Sequence, residues 1–203
     1  MYASFLKRLI DFTLALVALI VLSPVLLVLM VLGAVKMKGN PFFTQLRPGK
    51  DEKIFKLIKF RSMTCETDAS GNLLPDAQRM TRYGEILRST SLDELPELIN
   101  ILKGDMSFVG PRPSVPSMPY DQIPEYEKKK LEVKSGITGY TQAFYRNAIS
   151  REKRFEMDAY YAENVSFALD MKIIFRTVGR IFSRTGVYIE EDKAKTAKTP
   201  DQK

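Results

Sequence analysis

The sequence predicts a mostly helical α+β protein: a membrane-anchoring N-terminal helix, a small β-hairpin and a compact domain with amphipathic helices. Three observations carry this. Residues 12–35 hold no charged side chain. Two short β-prone runs flank Arg47-Pro48-Gly49-Lys50. Downstream, apolar residues recur at helical spacing in several separate blocks.

The uncharged stretch comes first. At about 1.5 Å rise per residue, roughly 20 apolar residues cross a bilayer core, so it is long enough to span. Ser23-Pro24 lies at its middle. Proline has no N–H and clashes with the preceding turn, so a helix kinks there, and a serine hydroxyl can satisfy a carbonyl left bare. Lys7 and Arg8 precede the stretch and Lys36 and Lys38 follow it, so the positive-inside bias points both ways. A single span, straight or kinked, fits; so does a segment that enters, bends at Ser23-Pro24 and leaves on the same face. A cleaved signal peptide would have a shorter apolar region, about 7–15 residues, and a soluble core helix would have a polar face.

The remaining chain divides into one domain at 39–190 and a polar tail at 191–203 that lacks aromatics and reads as disordered. Residues 42–44 and 54–60 read as strands. The polar loop at 64–76 holds Ser70-Gly71-Asn72. A short helix is expected at 84–88. Leu92, Leu95, Leu98, Ile99 and Leu102 mark another, which Lys103-Gly104 ends. Residues 110–120 are proline-rich and irregular, 126–132 form a charged helical turn, and 136–139 are a break. Helices follow at 151–163 and 166–184. In the last, Lys172, Arg176, Arg180 and Arg184 recur every fourth residue, with Phe167, Met171, Ile174, Phe175 and Val178 on the other side. Such a helix either lies on an anionic membrane or docks on a core with its basic face in water.

Composition narrows the chemistry. The net charge of +7 suits anionic partners: lipid headgroups, phosphates or nucleic acid. No nucleic-acid recognition motif is present, and the basic residues sit on an apolar-backed helix, which argues against nucleic acid. The chain has no histidine and a single cysteine, Cys65. That excludes His-based triads, an internal disulfide and Cys-rich zinc sites, and a lone cysteine after a membrane segment fits a reducing, cytoplasmic side. Carboxylates, lysine, tyrosine and hydroxyls remain, and a hard cation such as Mg²⁺ is the natural metal.

The chemical centre is Ser91-Leu92-Asp93-Glu94-Leu95-Pro96. Ser-x-x-Glu is also the capping-box pattern, in which Ser91 would cap a helix and Glu94 reach back. Pro96 lies too deep for the first turn of a helix starting at Leu92, so the helix starts at Pro96 or is kinked there. Either way, Asp93 and Glu94 fall at a helix N-terminus, which favours ionised carboxylates and bound phosphates. An ionised aspartate there is a candidate nucleophile toward phosphorus. Lys59, Arg61, Arg82 and Arg88 lie upstream. Arg112 stands between Pro111 and Pro113, a stiff setting for bidentate phosphate contact; taken alone, Pro-Arg-Pro is more often a rigid surface turn.

Four motifs in order resemble those of the bacterial sugar transferase family, the monotopic phosphoglycosyl transferases: Lys59-Phe60-Arg61-Ser62-Met63, Ser91-Leu92-Asp93-Glu94-Leu95-Pro96, Asn100-Ile101-Leu102-Lys103-Gly104-Asp105-Met106-Ser107 and Val109-Gly110-Pro111-Arg112-Pro113. The resemblance covers residues 1 to about 187 and is closest to the minimal single-domain members. It implies transfer of a phospho-sugar from a UDP-sugar to polyprenyl (undecaprenyl) phosphate, with release of UMP, Mg²⁺ dependence and a covalent enzyme intermediate. Asp93 would be the nucleophile and a metal contact, and Glu94 its dyad partner. Lys59, Arg88 and Arg112 would bind phosphates. The N-terminal helix would be re-entrant, broken at Ser23-Pro24, on the cytoplasmic face of a bacterial inner membrane. Downstream glycosyltransferases would take up the product. The non-enzymatic alternative is a membrane-anchored scaffold that binds anionic lipid.

The chain departs from the family pattern in one region. Lys134-Ser135-Gly136 replaces Arg-Pro-Gly, and Gln142-Ala143-Phe144-Tyr145-Arg146-Asn147 replaces a run resembling Gln-Val-Asn-Gly-Arg-Asn, placing Tyr145 where the family has a glycine. Tyr145, Arg146 and Asn147 are therefore expected near the nucleotide or sugar, with Phe144 either there or in the core. Asp158 falls where the family carries an acidic residue. These differences bear on sugar identity, not on the reaction.

Overall fold

The computed structural model describes residues 2–114, 125–145 and 149–182. A π-helical turn at Tyr2–Leu6 leads into α1 (Lys7–Lys36), a 30-residue helix with Pro24 inside it. The Ser23 hydroxyl donates to the carbonyl of Ile20 at 2.7 Å. That carbonyl, four residues before Pro24, is the one the missing proline N–H leaves bare.

One narrow stripe of α1 is anchored along the domain. Arg8 donates to the carbonyls of Ile101 and Leu102 at 2.6 and 2.8 Å. Buried Asp11 accepts from the Phe108 N–H at 3.1 Å. Ala15 packs in a core with Phe55, Leu57, Leu98, Ile101 and Met106, and Leu29 in a second core with Phe60 and Leu87. Ala18, Leu19, Leu22, Leu26 and Met30 pack partly against these cores, and the opposite side of α1 is exposed and apolar, including Leu9, Leu16, Val17, Ile20, Leu27 and Val31. α1 is long and apolar enough to cross a bilayer.

The hairpin pairs β1 (Phe42–Pro48) with β2 (Ile54–Phe60) in antiparallel register, Phe43 opposite Lys59 and Arg47 opposite Phe55. β1 runs four residues past the expected end, because the chain turns only at Gly49 and a 3₁₀ turn at Lys50–Glu52. α2 (Asp76–Arg79) and α3 (Arg82–Thr90) follow the loop, then a 3₁₀ turn at Leu92–Glu94 and α4 (Glu97–Lys103), closed by Gly104. Pro96 stands at the N-cap of α4, so the helix starts after the proline.

A second two-stranded sheet corrects the expected break at 136–139. β3 (Met106–Val109) and β4 (Ser135–Thr138) pair in parallel, Ser107 opposite Gly136. A Cβ on Gly136 would lie 2.2 Å from the backbone nitrogen of Gly110, so the glycine read as a break is what lets the two segments approach. Between them lie α5 (Glu125–Lys128) and a 3₁₀ turn at Lys129–Glu132.

α6 (Tyr140–Phe144), α7 (Arg151–Glu163) and α8 (Phe167–Phe182) complete the described fold around a third core of Val109, Ala143, Tyr161 and Ile173. Buried Asp170 of α8 accepts from Tyr161 at 2.7 Å and from Tyr2 and Lys7 at 2.6 Å, tying the start of α1 to α7 and α8. The basic stripe of α8 is partly drawn inward: Arg176 donates to the carbonyl of Ala143, and Arg180 to those of Gln142 and Phe144. These are carbonyls at the end of α6, where cations complement the helix dipole. Phe167, Phe175 and Val178 remain exposed. Arg184 and the tail lie outside the described residues.

Candidate active site

The central turn is assembled from both sides. α3 ends at Ser91, whose left-handed backbone (φ 57°) sends the chain into the 3₁₀ turn that carries Asp93 and Glu94. Leu92 and Leu95 on either side pack toward Leu29, Phe60 and Leu87, so the turn is seated where α1, β2 and α3 meet. The capping box does not form: Ser91 makes no side-chain cap hydrogen bond, and Glu94 points to Lys59 and Arg112 instead. Two charged partners outcompete one backbone N–H.

Lys59 Nζ lies 2.8 Å from Glu94 Oε1 and 3.0 Å from Glu97 Oε1. Arg112 Nη2 reaches the same Glu94 oxygen at 2.8 Å. Burial opposes ionisation of Glu94, but Arg112 and then Lys59 outweigh it and hold this carboxyl below its usual range. Glu97 is 2% exposed, and burial, countered in part by Lys59, pushes its pKa up to about 7. Asp93 differs from both. Its carboxylate makes no ion pair or hydrogen bond with another described side chain, and burial raises its pKa, with Lys59 and Arg88 pulling back and Glu94 adding to the rise. Asp93 is thus a carboxylate of raised basicity that no cation clamps.

Arg88 of α3 donates through Nε to buried Ser62 Oγ at 2.9 Å. This contact requires α3 to touch the end of the hairpin. Gly84 permits it, since a Cβ there would fall 1.8 Å from the Ser62 carbonyl oxygen. Asn100, fully buried, stitches α4 to β2: its Oδ1 accepts from the Ile58 N–H at 3.1 Å and its Nδ2 donates to the Lys56 carbonyl at 2.8 Å.

Lys59, Arg88, Asp93, Glu94 and Arg112 line one open cleft of about 1690 Å³. Its far wall reaches Gln142 and Ala143. Tyr145 and Phe144 do not line it: the Tyr145 ring stands 6.4 Å from that of Tyr140, and Phe144 stacks on Tyr140 at 4.6 Å and has Arg176 4.6 Å from its ring centroid. Asp158 is buried on α7 and accepts from Thr141 at 2.5 Å, bracing α6 behind this wall. Arg146 and Asn147 lie outside the described residues. Sequence reasoning missed Glu97 and gave Asn100 no role. Glu97 could have been found three residues after Glu94, one helical turn on across Pro96.

Among the described residues no three carboxylates or cysteines converge as a ready-made metal cage. The site instead offers one open carboxylate, Asp93, among cations that suit phosphates. That donor set fits Mg²⁺, which is usually held by one or two carboxylates together with substrate phosphate oxygens.

The fold and site thus define a domain docked on a long apolar helix, with a cleft lined by carboxylates and cations. The bacterial sugar transferase model matches residues 2–184, and the chain belongs to that family. It is 47% identical over 185 residues to the "uncharacterized sugar transferase EpsL" of Bacillus subtilis, covering 90% of each chain. It is 40% identical over 191 residues to the UDP-glucose:undecaprenyl-phosphate glucose-1-phosphate transferase of Klebsiella pneumoniae. It is 36% identical over 191 residues to the UDP-N-acetylgalactosamine-undecaprenyl-phosphate N-acetylgalactosaminephosphotransferase of Aeromonas hydrophila. In both cases 90% of this chain is covered, but only 41% and 45% of those longer proteins.

Proposed function

We propose that this protein transfers a phospho-sugar from a UDP-sugar to polyprenyl phosphate and releases UMP. The observation that carries the reading is the contrast inside one turn: Glu94 is held by Lys59 and Arg112 while Asp93 stands open to the same cleft. In the first step an Asp93 carboxylate oxygen bonds the sugar-bearing phosphorus. The bond from that phosphorus to the bridging oxygen breaks, and UMP leaves with the electron pair. In the second step an oxygen of polyprenyl phosphate attacks the same phosphorus, the acyl-phosphate P–O bond breaks, and the carboxylate is regenerated. Lys59, Arg88 and Arg112 hold phosphate oxygens, with Glu94 keeping Lys59 and Arg112 in position. Mg²⁺, held by Asp93 and the diphosphate, would offset charge on the transferring group.

A membrane setting follows from the acceptor, and the docking of α1 supports a re-entrant, monotopic placement; the cytoplasmic face is part of the proposal. A 30-residue helix is about 45 Å long. Crossing a bilayer would carry one end away from a domain on one side, yet Arg8 and Asp11 near the start and Leu29 near the end all dock on this domain. The exposed apolar side chains of α1 and of Phe167, Phe175 and Val178 would then face lipid.

The test is UMP release from a panel of UDP-sugars with polyprenyl phosphate and Mg²⁺. Asp93→Asn should lower turnover on the order of 10³-fold or more while leaving membrane association intact. A scaffold protein would release no UMP with any donor.

A further inference from the structure

The hairpin register sets one more cation in the cleft, and the two transfer steps leave it without a role. Side chains alternate along a strand, so Phe43, Gln45 and Arg47 share a face of β1. Their partners on β2 are Lys59, Leu57 and Phe55. Lys59 and Arg47 therefore stand on the same face of the hairpin, and both line the cleft.

Their surroundings differ. Lys59 has two carboxylates and Arg112 has one. Arg47 has no ion pair among the described residues. Among the described residues its guanidinium makes one hydrogen bond, from Nη2 to Gln45 Oε1 at 2.7 Å, and its Nε is buried with no acceptor. Its pKa is pushed down by burial and next by the charge of Arg112, with Glu97 pulling back. A half-buried guanidinium beside another cation, with a buried donor unfilled, is unfavourable unless an anion completes it. Of Lys59, Arg112 and Arg47, only Arg47 pairs with neither Glu94 nor Glu97.

The geometry points to Arg47 as a phosphate-binding residue, its guanidinium joining Arg112 around an oxyanion of the phosphate ligand in the cleft. The assignment rests on the phosphoglycosyl transfer reading above. The oxyanion belongs either to the nucleotide or to the lipid phosphate. An arginine fork suits both, since each offers paired terminal oxygens.

The test uses the purified full chain in detergent, with UMP and undecaprenyl phosphate as separate probes in the presence of Mg²⁺, titrated against wild type, Arg47→Met and Arg47→Lys. Methionine keeps an apolar stem for packing and removes the fork and the charge. We expect Arg47→Met to weaken one of the two probes tenfold or more, and the probe affected names the source of the oxyanion. Arg47→Lys should recover part of that loss by restoring the charge without the fork. The Tm of ligand-free Arg47→Met should equal or exceed that of wild type, because an uncompensated cation has been removed; a guanidinium kept for the fold would lower it. Wild-type affinity for both probes in Arg47→Met, or a lowered Tm in both variants, overturns the assignment. Wild type that binds neither probe overturns the transferase reading itself, a result distinct from wild type binding both and Arg47→Met losing neither.

Discussion

Glu97→Gln separates the electrostatics of the site from its packing. The side chain is 2% exposed, and its ion-pair partner, Lys59 at 3.0 Å, is shared with Glu94. Its pKa is raised from 4.5 to about 7. Between those two values the folded protein holds a proton on Glu97 that the unfolded chain has already lost. Stability from this group is therefore full below pH 4.5 and declines as pH rises through about 7. Each pH unit in the window is worth ~1.4 kcal/mol, so the decline amounts to about 3 kcal/mol. Glutamine is nearly isosteric and does not titrate. The assay is chemical unfolding in detergent at intervals from pH 4.5 to 8, with the wild-type and Glu97→Gln free energies subtracted at each pH. The glutamine variant is expected to gain on the wild type steadily across the window, by about 3 kcal/mol in total. A flat difference would show that Lys59 keeps Glu97 ionised throughout, and a reversed slope would show that the pair outweighs burial.

Asn100→Leu leaves the Ile58 N–H and the Lys56 carbonyl without their partner, and should cost about 3 kcal/mol in urea unfolding. Gly84→Ala forces a Cβ to 1.8 Å from the Ser62 carbonyl; α3 must shift, lowering stability by about 1–3 kcal/mol and reducing turnover through displacement of Arg88. Arg8→Met uncaps the Ile101 and Leu102 carbonyls at the end of α4, and thermal unfolding should show a loss of about 1–3 kcal/mol.

How far the fold can be read from the sequence depends on the range of the interactions. β2 and α7 coincide with the expected 54–60 and 151–163, because strand alternation and helix spacing are local signals. Ser23's bond to Ile20 follows from the position of Pro24 alone. The β3–β4 pair was illegible, because it joins segments about 30 residues apart and its glycine reads locally as a break. The capping box failed for a related reason: the pattern at Ser91 and Glu94 is local, whereas the charges that redirect Glu94 come from β2 and from Arg112. The inward turn of Arg176 and Arg180 depends on where α6 ends, which spacing along α8 does not reveal. At the site, the family resemblance indicated Lys59, Arg88, Asp93, Glu94 and Arg112, and the fold gathers all five around one cleft. Glu97 and Arg47 were silent because burial and missing partners, not residue type, single them out.

The central claim is that Asp93 captures the phospho-sugar before the lipid does. The direct measurement is mass spectrometry of the protein quenched after incubation with UDP-sugar and Mg²⁺ but no polyprenyl phosphate. A phospho-sugar adduct on the peptide containing Asp93, discharged when polyprenyl phosphate is added and absent from Asp93→Asn, is the predicted result. Lipid-linked product formed at full rate with no adduct at any time would contradict it.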